Sequence, residues 1–520
     1  MSVSRIATII FVLSVWSLPN GWGQHDLHRN ATRLLAKGGS NIDKAIQQLK
    51  KKEKDVESLY LLMVAHSLKK DIDTALDYAK QAINAGLPFA RIQAGPRTAL
   101  APLYASQGYK DWAAKKEQIL IHGPMLGNMT DSSVDIWVRT AKAAKVEVRV
   151  IGGKKIESKP VQTSKKTDFT AVARLEGLSS DTWYHYQVFV DGKPAGDRSY
   201  FRPNHVKGKP SQFRIAFGGG AGYVPKWERM WDLIAKSKSR AVLMLGDNVY
   251  IDDPKHLITQ QYCYYRRQSR PEWRRLTSKI PIYSIYDDHD FGTNDCVPGP
   301  DIEKPTWKRE VWNVFRQNWA NPGYGGGQKQ PGCWYDFHIS DVHFILIDGR
   351  YYRDLKGGSM LGPVQKAWVK KTLKESKAKI KVLASDVPWT PGVKPGSRDT
   401  WDGFAKEREE LFSFIQKQKI DGVLLIAADR HRSDIRKIKR ESGYDFVEFQ
   451  SSKLTNRHTH KVVKTPGLVF GYNKKCSFGQ MDFDTTKKDP TITMKIISID
   501  GEEIYSMKIA LSELSHQVKR

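Results

Sequence analysis

The spacing of apolar and polar positions changes twice along this 520-residue chain. Residues 25–117 carry apolar side chains at helical spacing, most clearly in SLYLLMVAHSLKKDIDTALDYAKQAINAG. Residues 118–205 alternate between apolar and polar positions, as in VDIWVRT and WYHYQVFVDG, which is typical of short strands. Residues 211–512 combine apolar strand-like runs, loops and helical segments, the texture of an α/β domain. The pattern therefore predicts three domains in this order.

Small residues within the helical region predict a closely packed helical hairpin. Ala75, Ala79 and Ala82 fall at helical spacing, and the segment resembles one tetratricopeptide-type (TPR) repeat. Two interpretations stay open: a platform that binds a protein partner, and a helical cap that packs on the rest of the chain.

The alternating region predicts a small immunoglobulin- or fibronectin-like β-sandwich of five to seven short strands. Turn signals such as DG and GG separate its strands. The segment NHVKGKPSQ is the expected linker to the α/β domain.

The first 23 residues are typical of a secretory signal peptide. Arg5 precedes the short apolar run Ile6–Leu18, and the small residues Gly21 and Gly23 follow. The run is too short to span a bilayer of ~30 Å, and no later run approaches ~20 apolar residues, so no transmembrane segment is expected. We therefore predict export to the periplasm or the extracellular space, where the four cysteines could form one or two disulfides.

The formal net charge of +28 favours an anionic partner. Phosphorylated substrates, nucleic acid, anionic lipid and acidic polysaccharide all meet this condition. Because the chain has no nucleic-acid recognition motif, nucleic acid is expected only as a substrate.

Several apolar runs of the third region end in acidic residues or histidines. AVLMLGD ends at Asp247, IPIYSIYDDHD includes Asp288 and His289, and GVLLIAADRH ends at Asp429 and His431. Such runs are typical of buried parallel strands. Because open α/β sheets bind ligands beyond the carboxyl ends of their strands, we expect these side chains to gather at one edge.

Carboxylates gathered at one place repel each other, and a bound cation is the simplest compensation. Asp, His, Asn and Tyr donors suit Mn, Fe, Mg, Ca or Zn. Two such ions ~3.5–4 Å apart clamp a phosphoryl group and lower the pKa of a water molecule, which is the chemistry of hydrolysis. A single Asp after a strand usually serves a cap or a turn instead, and this is our interpretation of Asp386.

The motifs of residues 120–510 resemble, in order and spacing, those of the PhoD-like (alkaline phosphatase D) branch of the metallophosphoesterases. The matching segments are FGGGAG, GDNVYIDD, YSIYDDHDFGTND, LIDGRYYRDL, MLGPVQKAWVKKTL, WDGFAKEREEL and ADRHRSDI. The resemblance implies a multidomain protein with an α/β metallophosphoesterase domain of two packed mixed sheets flanked by helices (αββα). The β-sandwich in front of it is an arrangement seen in that family.

The resemblance also implies roles for individual residues. Asp247 would bridge two metals, and Tyr250 would add a phenolate oxygen to one of them. Asp288 and His289 take the places of the superfamily's phosphate-binding pair, in which His289 would stabilise the transition state or protonate the leaving group.

Three further positions match ligands of the family. Asn294 resembles the amide ligand of the second metal, and Asp429 and His431 resemble the closing metal-binding pair. Arg350 could contact a phosphate oxygen in a bidentate manner. The implied metal ligands are Asp247, Tyr250, Asp288, Asn294, Asp429 and His431, and the implied catalytic residues are His289, Asp288 and Arg350.

One position departs from the family pattern. The family's first strand ends in a Ser-Cys pair, whereas Gly220 stands here in place of the Cys. The implied cofactor is a pair of metal ions, Fe with Ca, or Mn, Mg or Zn, and the missing thiolate weakens the case for Fe(III).

The leading hypothesis is an exported enzyme that hydrolyses phosphate mono- or diesters with a metal-activated water at a binuclear site. The alternative is a catalytically weak, metal-binding interaction module. The helical region, the sandwich and the missing Cys favour the module, and the otherwise complete set of ligand types favours the enzyme.

Overall fold

The computed structural model describes residues 27–516, so the predicted signal peptide lies outside the described residues. The N-terminal part of this range is helical, as predicted. Its helices are α1 (Leu27–Lys37), α2 (Ser40–Lys50), α3 (Val56–Leu68), α4 (Ile72–Asn84), α5 (Phe89–Ala94), α6 (Arg97–Ala105) and α7 (Gln107–Ala113). Helix α3 is buried on nearly its whole circumference, which explains its almost unbroken apolar sequence.

Two small antiparallel sheets follow and enclose a separate apolar core. Their orders are β1-β2-β5 and β4-β3-β6-β7. The strands are β1 (Leu120–Gly127), β2 (Ser133–Thr140), β3 (Lys145–Ile151), β4 (Val161–Gln162), β5 (Thr170–Glu176), β6 (Tyr184–Val190) and β7 (Lys193–Phe201). The alternating pattern thus folds into a sandwich, because each strand turns one apolar face inward.

The α/β domain is built on two larger mixed sheets. Its strands are β8 (Gln212–Gly218), β9 (Val242–Leu245), β10 (Ile282–Ile285), β11 (Tyr335–Ile339), β12 (Val342–Leu346), β13 (Ile380–Ala384), β14 (Val423–Ala427), β15 (Ser433–Ile438), β16 (Phe446–Ser451), β17 (Leu468–Tyr472), β18 (Ser477–Asp484), β19 (Thr491–Ser498) and β20 (Glu503–Ala510). Its helices are α8 (Met230–Lys236), α9 (Leu257–Gln268), α10 (Pro271–Thr277), α11 (Asp288–Phe291), α12 (Trp307–Asn318), α13 (Gly362–Glu375) and α14 (Ala405–Lys417).

The orders of these sheets are β10-β9-β8-β18-β19-β20 and β11-β12-β13-β14-β16-β15-β17. Strands β8, β9 and β10 run parallel in the first sheet. Strands β12, β13, β14 and β16 run parallel in the second. The mixed sheets agree with the predicted α/β fold, and the short apolar strands are fully buried, as expected for parallel strands with both faces covered.

The helical region packs on the α/β domain through α1 and α9. Arg33 donates a hydrogen bond to the carbonyl of Asp252 (2.8 Å). Arg91, buried in α5, donates to the carbonyl of Tyr262 (3.2 Å). The helices therefore form a cap on this domain, while the TPR-like repeat itself stays a prediction.

No helix within residues 27–516 is long and apolar enough to cross a membrane. None of the four cysteines, all of which lie within residues 27–516, forms a disulfide in the structure.

A buried arginine joins the sandwich to the α/β domain. Arg139 of β2 is fully buried and contacts Asp168 (3.1 Å) and the side-chain oxygen of Asn318 (2.8 Å). It also donates to Gln268 of α9. The guanidinium thus bonds to groups from both domains, and its removal would leave Asp168 and these polar groups uncompensated.

We expect Arg139→Met to lower the free energy of unfolding by about 3–5 kcal/mol, because breaking a buried ion pair leaves a charge without its partner. Thermal and urea unfolding of the full chain would measure the loss. Arg149→Met is the matched control, since Arg149 lies on the sandwich surface with 36% of its side chain exposed. Equal stability of the two variants would contradict the role given to Arg139.

Candidate metal centre

The carboxyl ends of the parallel strands bring the predicted side chains to the line where the two sheets meet. Gly219, after β8, pairs with Ser452, after β16, in a parallel bridge that links the sheets. Asp247 follows β9 and Asp288 follows β10 in the first sheet, and Asp429 follows β14 in the second. The strand ends thus supply acids from both sheets to one place.

The backbone at these strand ends is held in an unusual conformation. The non-glycine residues Asp247, Tyr250, Asp252, Asp429 and His431 all have positive φ, between 46° and 64°. Each such residue costs on the order of 1–3 kcal/mol, and clusters of them are typical of functional sites.

A glycine permits the close approach of two of the acidic loops. Gly246 has φ 96°, and a Cβ at this position would lie 2.4 Å from Cβ of Asp287. Any other residue would push the loop after β9 away from the loop after β10. Gly246 is therefore required for Asp247 to lie beside Asp288.

Asp247 is the central carboxylate of the cluster. It is 1% exposed, and its ligand oxygen lies within 4.8 Å of ligand atoms of both Asp288 and His289. Burial raises the pKa of Asp247 well above its ordinary value, His289 opposes the rise, and Asp288 adds to it. Its Oδ1 is buried without a hydrogen-bond partner, while Oδ2 accepts a bond from Tyr250 (2.8 Å).

Tyr250 connects Asp247 to the second sheet. Its hydroxyl lies 2.5 Å from Nε2 of His431, which is 3.5 Å from Oδ2 of Asp247. The side-chain amide of Asn456 donates to the same hydroxyl (2.5 Å). Three of the predicted ligands, Asp247, Tyr250 and His431, are thus in direct contact, and Asn456 is a neighbour that the sequence did not indicate.

His289 is held by an acidic partner and an aromatic ring. Its Nδ1 lies 2.5 Å from Asp252, and its ring stacks on Tyr250 with centroids 4.5 Å apart. Burial lowers the pKa of His289, but Asp288, Asp252 and Asp247 outweigh burial and raise it well above its ordinary value. The neighbouring carboxylates therefore favour the protonated form of His289.

The N-terminal helix completes the surroundings of His289. Arg29 of α1 lies 2.7 Å from Asp252 and donates to the carbonyl of Tyr250 (2.9 Å). Burial raises the pKa of Asp252, yet His289 and Arg29 outweigh it and lower this pKa to about 2. An element more than 200 residues away in sequence thus helps to fix the Asp252–His289 pair.

Arg350 lies deeper than a group that contacts substrate. Its side chain is fully buried, with Nε donating to Asp287 (2.5 Å) and Nη1 to Asp399 (2.6 Å). Its Nη2 is 3.9 Å from Oδ2 of Asp288. Burial lowers the pKa of Arg350, but Asp287 and Asp399 outweigh burial and raise it. The guanidinium is positioned to hold the loop that carries Asp288.

Asp386 belongs to the same buried network. Its Oδ2 lies 3.4 Å from Nε of Arg350. The structure thus places Asp386 among the groups that surround Arg350, as a buried ion-pair partner rather than the cap or turn residue expected from the sequence.

Two predicted ligands lie at the margin of the contacts. Asn294 is exposed, and its side chain makes no hydrogen bond with residues 27–516. The backbone N–H of the next residue, Asp295, donates to Asp288 (2.6 Å), so this loop adjoins the cluster. Asp429 is 8% exposed, and its Oδ2 is buried without a hydrogen-bond partner.

Gly220 lies next to His431, at the place of the family's thiolate. It has φ 64°, and a Cβ at this position would lie 3.2 Å from Cδ2 of His431 and 3.1 Å from Oγ of Ser452. A larger residue here would be strained by the backbone and would crowd the imidazole. The free space beside His431 is therefore small.

The donors at this place fit a bound cation. A buried acceptor without a partner is costly, and Asp247 Oδ1 has no hydrogen-bond partner among the described residues. Asp429 Oδ2 also accepts no hydrogen bond from these residues, although it lies 3.6 Å from the guanidinium of Arg430. Carboxylate, phenol and imidazole donors suit Fe, Mn, Zn, Ca or Mg. The residues present can therefore hold metal ions, although no thiolate is among them.

Two family models match this chain. The model described as PhoD-like phosphatase matches residues 215–491, more than half of the chain. The model described as Domain of unknown function (DUF7800) matches residues 117–203, which correspond to the sandwich.

Known proteins resemble this chain over part of its length. Alkaline phosphatase D of Bacillus subtilis (strain 168) is 28% identical over 269 residues, a match that covers 43% of this chain and 46% of that protein. The chain thus matches less than half the length of this curated relative.

Two solved structures share the fold. The structure of PhoD has a TM-score of 0.62 at 16% identity and covers 74% of this chain and 88% of its own. Purple acid phosphatase PPD1 from yellow lupin (Lupinus luteus) seeds has a TM-score of 0.58 at 13% identity and covers 75% of each chain. Both matches support a multidomain phosphoesterase fold.

We expect Asp247→Asn to weaken the binding of Mn²⁺ at least ~10-fold, because even outer groups of metal sites contribute 10–100-fold to affinity. Isothermal titration calorimetry on metal-stripped full-length protein would measure it. Asp43→Asn is the control, since Asp43 lies on α2 with 58% of its side chain exposed. Unchanged affinity in Asp247→Asn would remove Asp247 from the metal site.

Proposed function

Because this chain belongs to the PhoD-like phosphatase family, we propose that it is an exported metal-dependent phosphoesterase that hydrolyses phosphate mono- or diesters. One observation supports the proposal most directly. The buried carboxylate of Asp247 keeps an unpartnered oxygen and lies with Asp288 and His289 at the ends of parallel strands. Such a cluster suits a cation and an anionic ester between the metal and the imidazolium.

The proposed site holds two metal ions, Fe with Ca, or Mn, Mg or Zn. Asp247 would bridge them, with Tyr250 and His431 as ligands on one side. When bound, the ions would polarise the phosphoryl group and lower the pKa of a water molecule. The second ion would take Asp288 and Asp429 as ligands, together with Asn294 after rotation of its side chain.

His289 is proposed as the residue that meets the leaving group. Its Nδ1 is bound to Asp252, so Nε2 is the nitrogen proposed to donate a hydrogen bond or a proton to an ester oxygen. The stacked ring of Tyr250 keeps the imidazole plane fixed. The neighbouring carboxylates raise the pKa of His289 and so favour the protonated form, which is the form that can donate.

Arg350 has a different proposed role from the phosphate contact inferred from sequence. Asp287 and Asp399 occupy its Nε and Nη1, and the side chain is fully buried. We propose that Arg350 positions Asp288 through the loop after β10. Its Nη2 lies 3.9 Å from Oδ2 of Asp288, on the side of the proposed site.

The substrate is proposed to be an anionic ester outside the cell. The net charge of +28 would steer such a substrate by long-range attraction. Export rests on the sequence of residues 1–23 alone. The proposed protein partner would bind the outer face of the N-terminal helices, because their inner face already packs on α9.

We expect the metal-loaded protein to hydrolyse p-nitrophenyl phosphate or bis-p-nitrophenyl phosphate, and Asp247→Ala to lose more than ~10³-fold in kcat/KM, as expected when binding of a catalytic metal fails. Chelation should remove the activity, and added Fe, Mn, Ca, Mg or Zn should restore it. Asp43→Ala is the control for the substitution. Full metal occupancy without turnover of either ester would favour the interaction module.

Arg29 should affect catalysis through His289. We expect Arg29→Met to lower kcat by about 10-fold with little change in KM, because it releases Asp252 and thereby the orientation of His289. Arg33→Met is the matched control, since Arg33 of the same helix bonds to the backbone carbonyls of Ile251 and Asp252 and not to the carboxylate of Asp252. A purely structural role would change both variants alike, so equal kcat and an equal pH profile would exclude the positioning role.

A further inference from the structure

Three histidines meet at one edge of the proposed metal centre. His431, His458 and His460 each offer a ring nitrogen, and these three atoms lie within 4.8 Å of one another. The ring centroid of His431 is 5.2 Å from that of His458 and 5.4 Å from that of His460. The family motifs in the sequence include only His431, so the other two rings were not expected at this place.

The backbone around these rings is fixed by hydrogen bonds. The N–H of His458 donates to the side-chain oxygen of Asn456 (2.9 Å), and the hydroxyl of Thr459 donates to the carbonyl of His431 (3.2 Å). The amide of Asn473 donates to the carbonyl of His460 (3.0 Å). The loop is thus fastened to the segments that follow β14 and β17, so the backbone places the three rings near one another before any ligand arrives.

The hydrogen bonding of His431 indicates that a ligand binds at Nδ1. His431 is 6% exposed, and its Nδ1 is buried without a hydrogen-bond partner within the described residues. A second histidine cluster behaves differently, because both nitrogens of His343 are bonded, to Asp336 (2.9 Å) and to Ser376 (2.9 Å). Both ring nitrogens of His343 are thus occupied, whereas Nδ1 of His431 has no hydrogen-bond partner within residues 27–516.

We propose that His431, His458 and His460 bind one borderline transition-metal ion of the Zn²⁺ class through their ring nitrogens. Three imidazoles are a familiar ligand set for zinc. Nitrogen ligands of one tetrahedral zinc lie about 3.4 Å apart, so side-chain rotations of roughly 1 Å would close this group around an ion. His458 is exposed and His460 is partly exposed, which leaves both rings free to rotate.

The three imidazoles would serve as metal ligands of borderline softness, whereas Gly220 has no side chain that could bind a metal. Oδ2 of Asp247 lies 3.5 Å from Nε2 of His431, and Asp429 precedes His431 by two residues in the chain. Both carboxylates would offset the charge of the ion. The inference rests on the proposed function and revises it in one respect: because a neutral imidazole binds one ion, His431 would ligate this ion through Nδ1 and bond to Tyr250 through Nε2. It adds that imidazoles, in place of a thiolate, select the metal at this edge.

The test compares His458→Ala/His460→Ala with wild type in the full-length protein. We expect Zn²⁺ affinity to fall at least ~10-fold for one equivalent. We also expect the visible absorption of the Co²⁺-loaded protein to lose intensity. His66→Ala/His185→Ala is the matched control, because it removes two histidines that lie outside every candidate metal group of residues 27–516.

Unchanged Zn²⁺ affinity and an unchanged Co²⁺ spectrum would overturn the inference. It would also be overturned if the double variant lost affinity for inorganic phosphate but kept its affinity for Zn²⁺, since the rings would then form an anion site. The proposed function is tested separately by Asp247→Ala. If Asp247→Ala abolishes turnover while His458→Ala/His460→Ala keeps both turnover and Zn²⁺ affinity, the proposed function is supported and the histidine site is wrong.

Discussion

The burial of carboxylates at the ends of the parallel strands is the constraint on which the site depends. Arg350 compensates Asp287 and Asp399 with direct ion pairs. Asp247 has no such fixed partner for its Oδ1, although it is buried beside Asp288. An uncompensated buried charge is costly, so a bound cation beside Asp247 would lower the free energy of the folded protein, and this is the physical basis of the proposed metal site.

Residues from several parts of the chain hold these side chains in place. Gly246 lets two loops approach, and the positive φ of Asp247 and His431 turns their side chains toward each other. Arg29 from the first helix fixes Asp252, and Asp252 in turn fixes His289. The helical region, for which the sequence left open a partner platform or a packed cap, thereby helps to position the proposed catalytic residue His289.

Much of the fold could be predicted from local pattern. Helical spacing, strand alternation and buried apolar runs each predict one domain, because each reflects which face of an element meets the core. The side chains that follow the strands were predictable for the same reason. Asn456, His458 and His460 were not, since they lie in a loop after β16 whose course depends on contacts with distant residues such as Asn473.

The sequence by itself determined the order of the domains, the α/β character of the third region and the polar side chains that follow its strands, among them Asp247, Asp288 and His431. These features follow from periodicity and from motifs whose spacing is local. Only the tertiary structure decided that Arg350 is buried among Asp287 and Asp399, that Asn294 is exposed, and that α1 reaches His289 through Asp252. Such outcomes depend on which distant surfaces pack together, and packing is set by the whole chain rather than by any one segment.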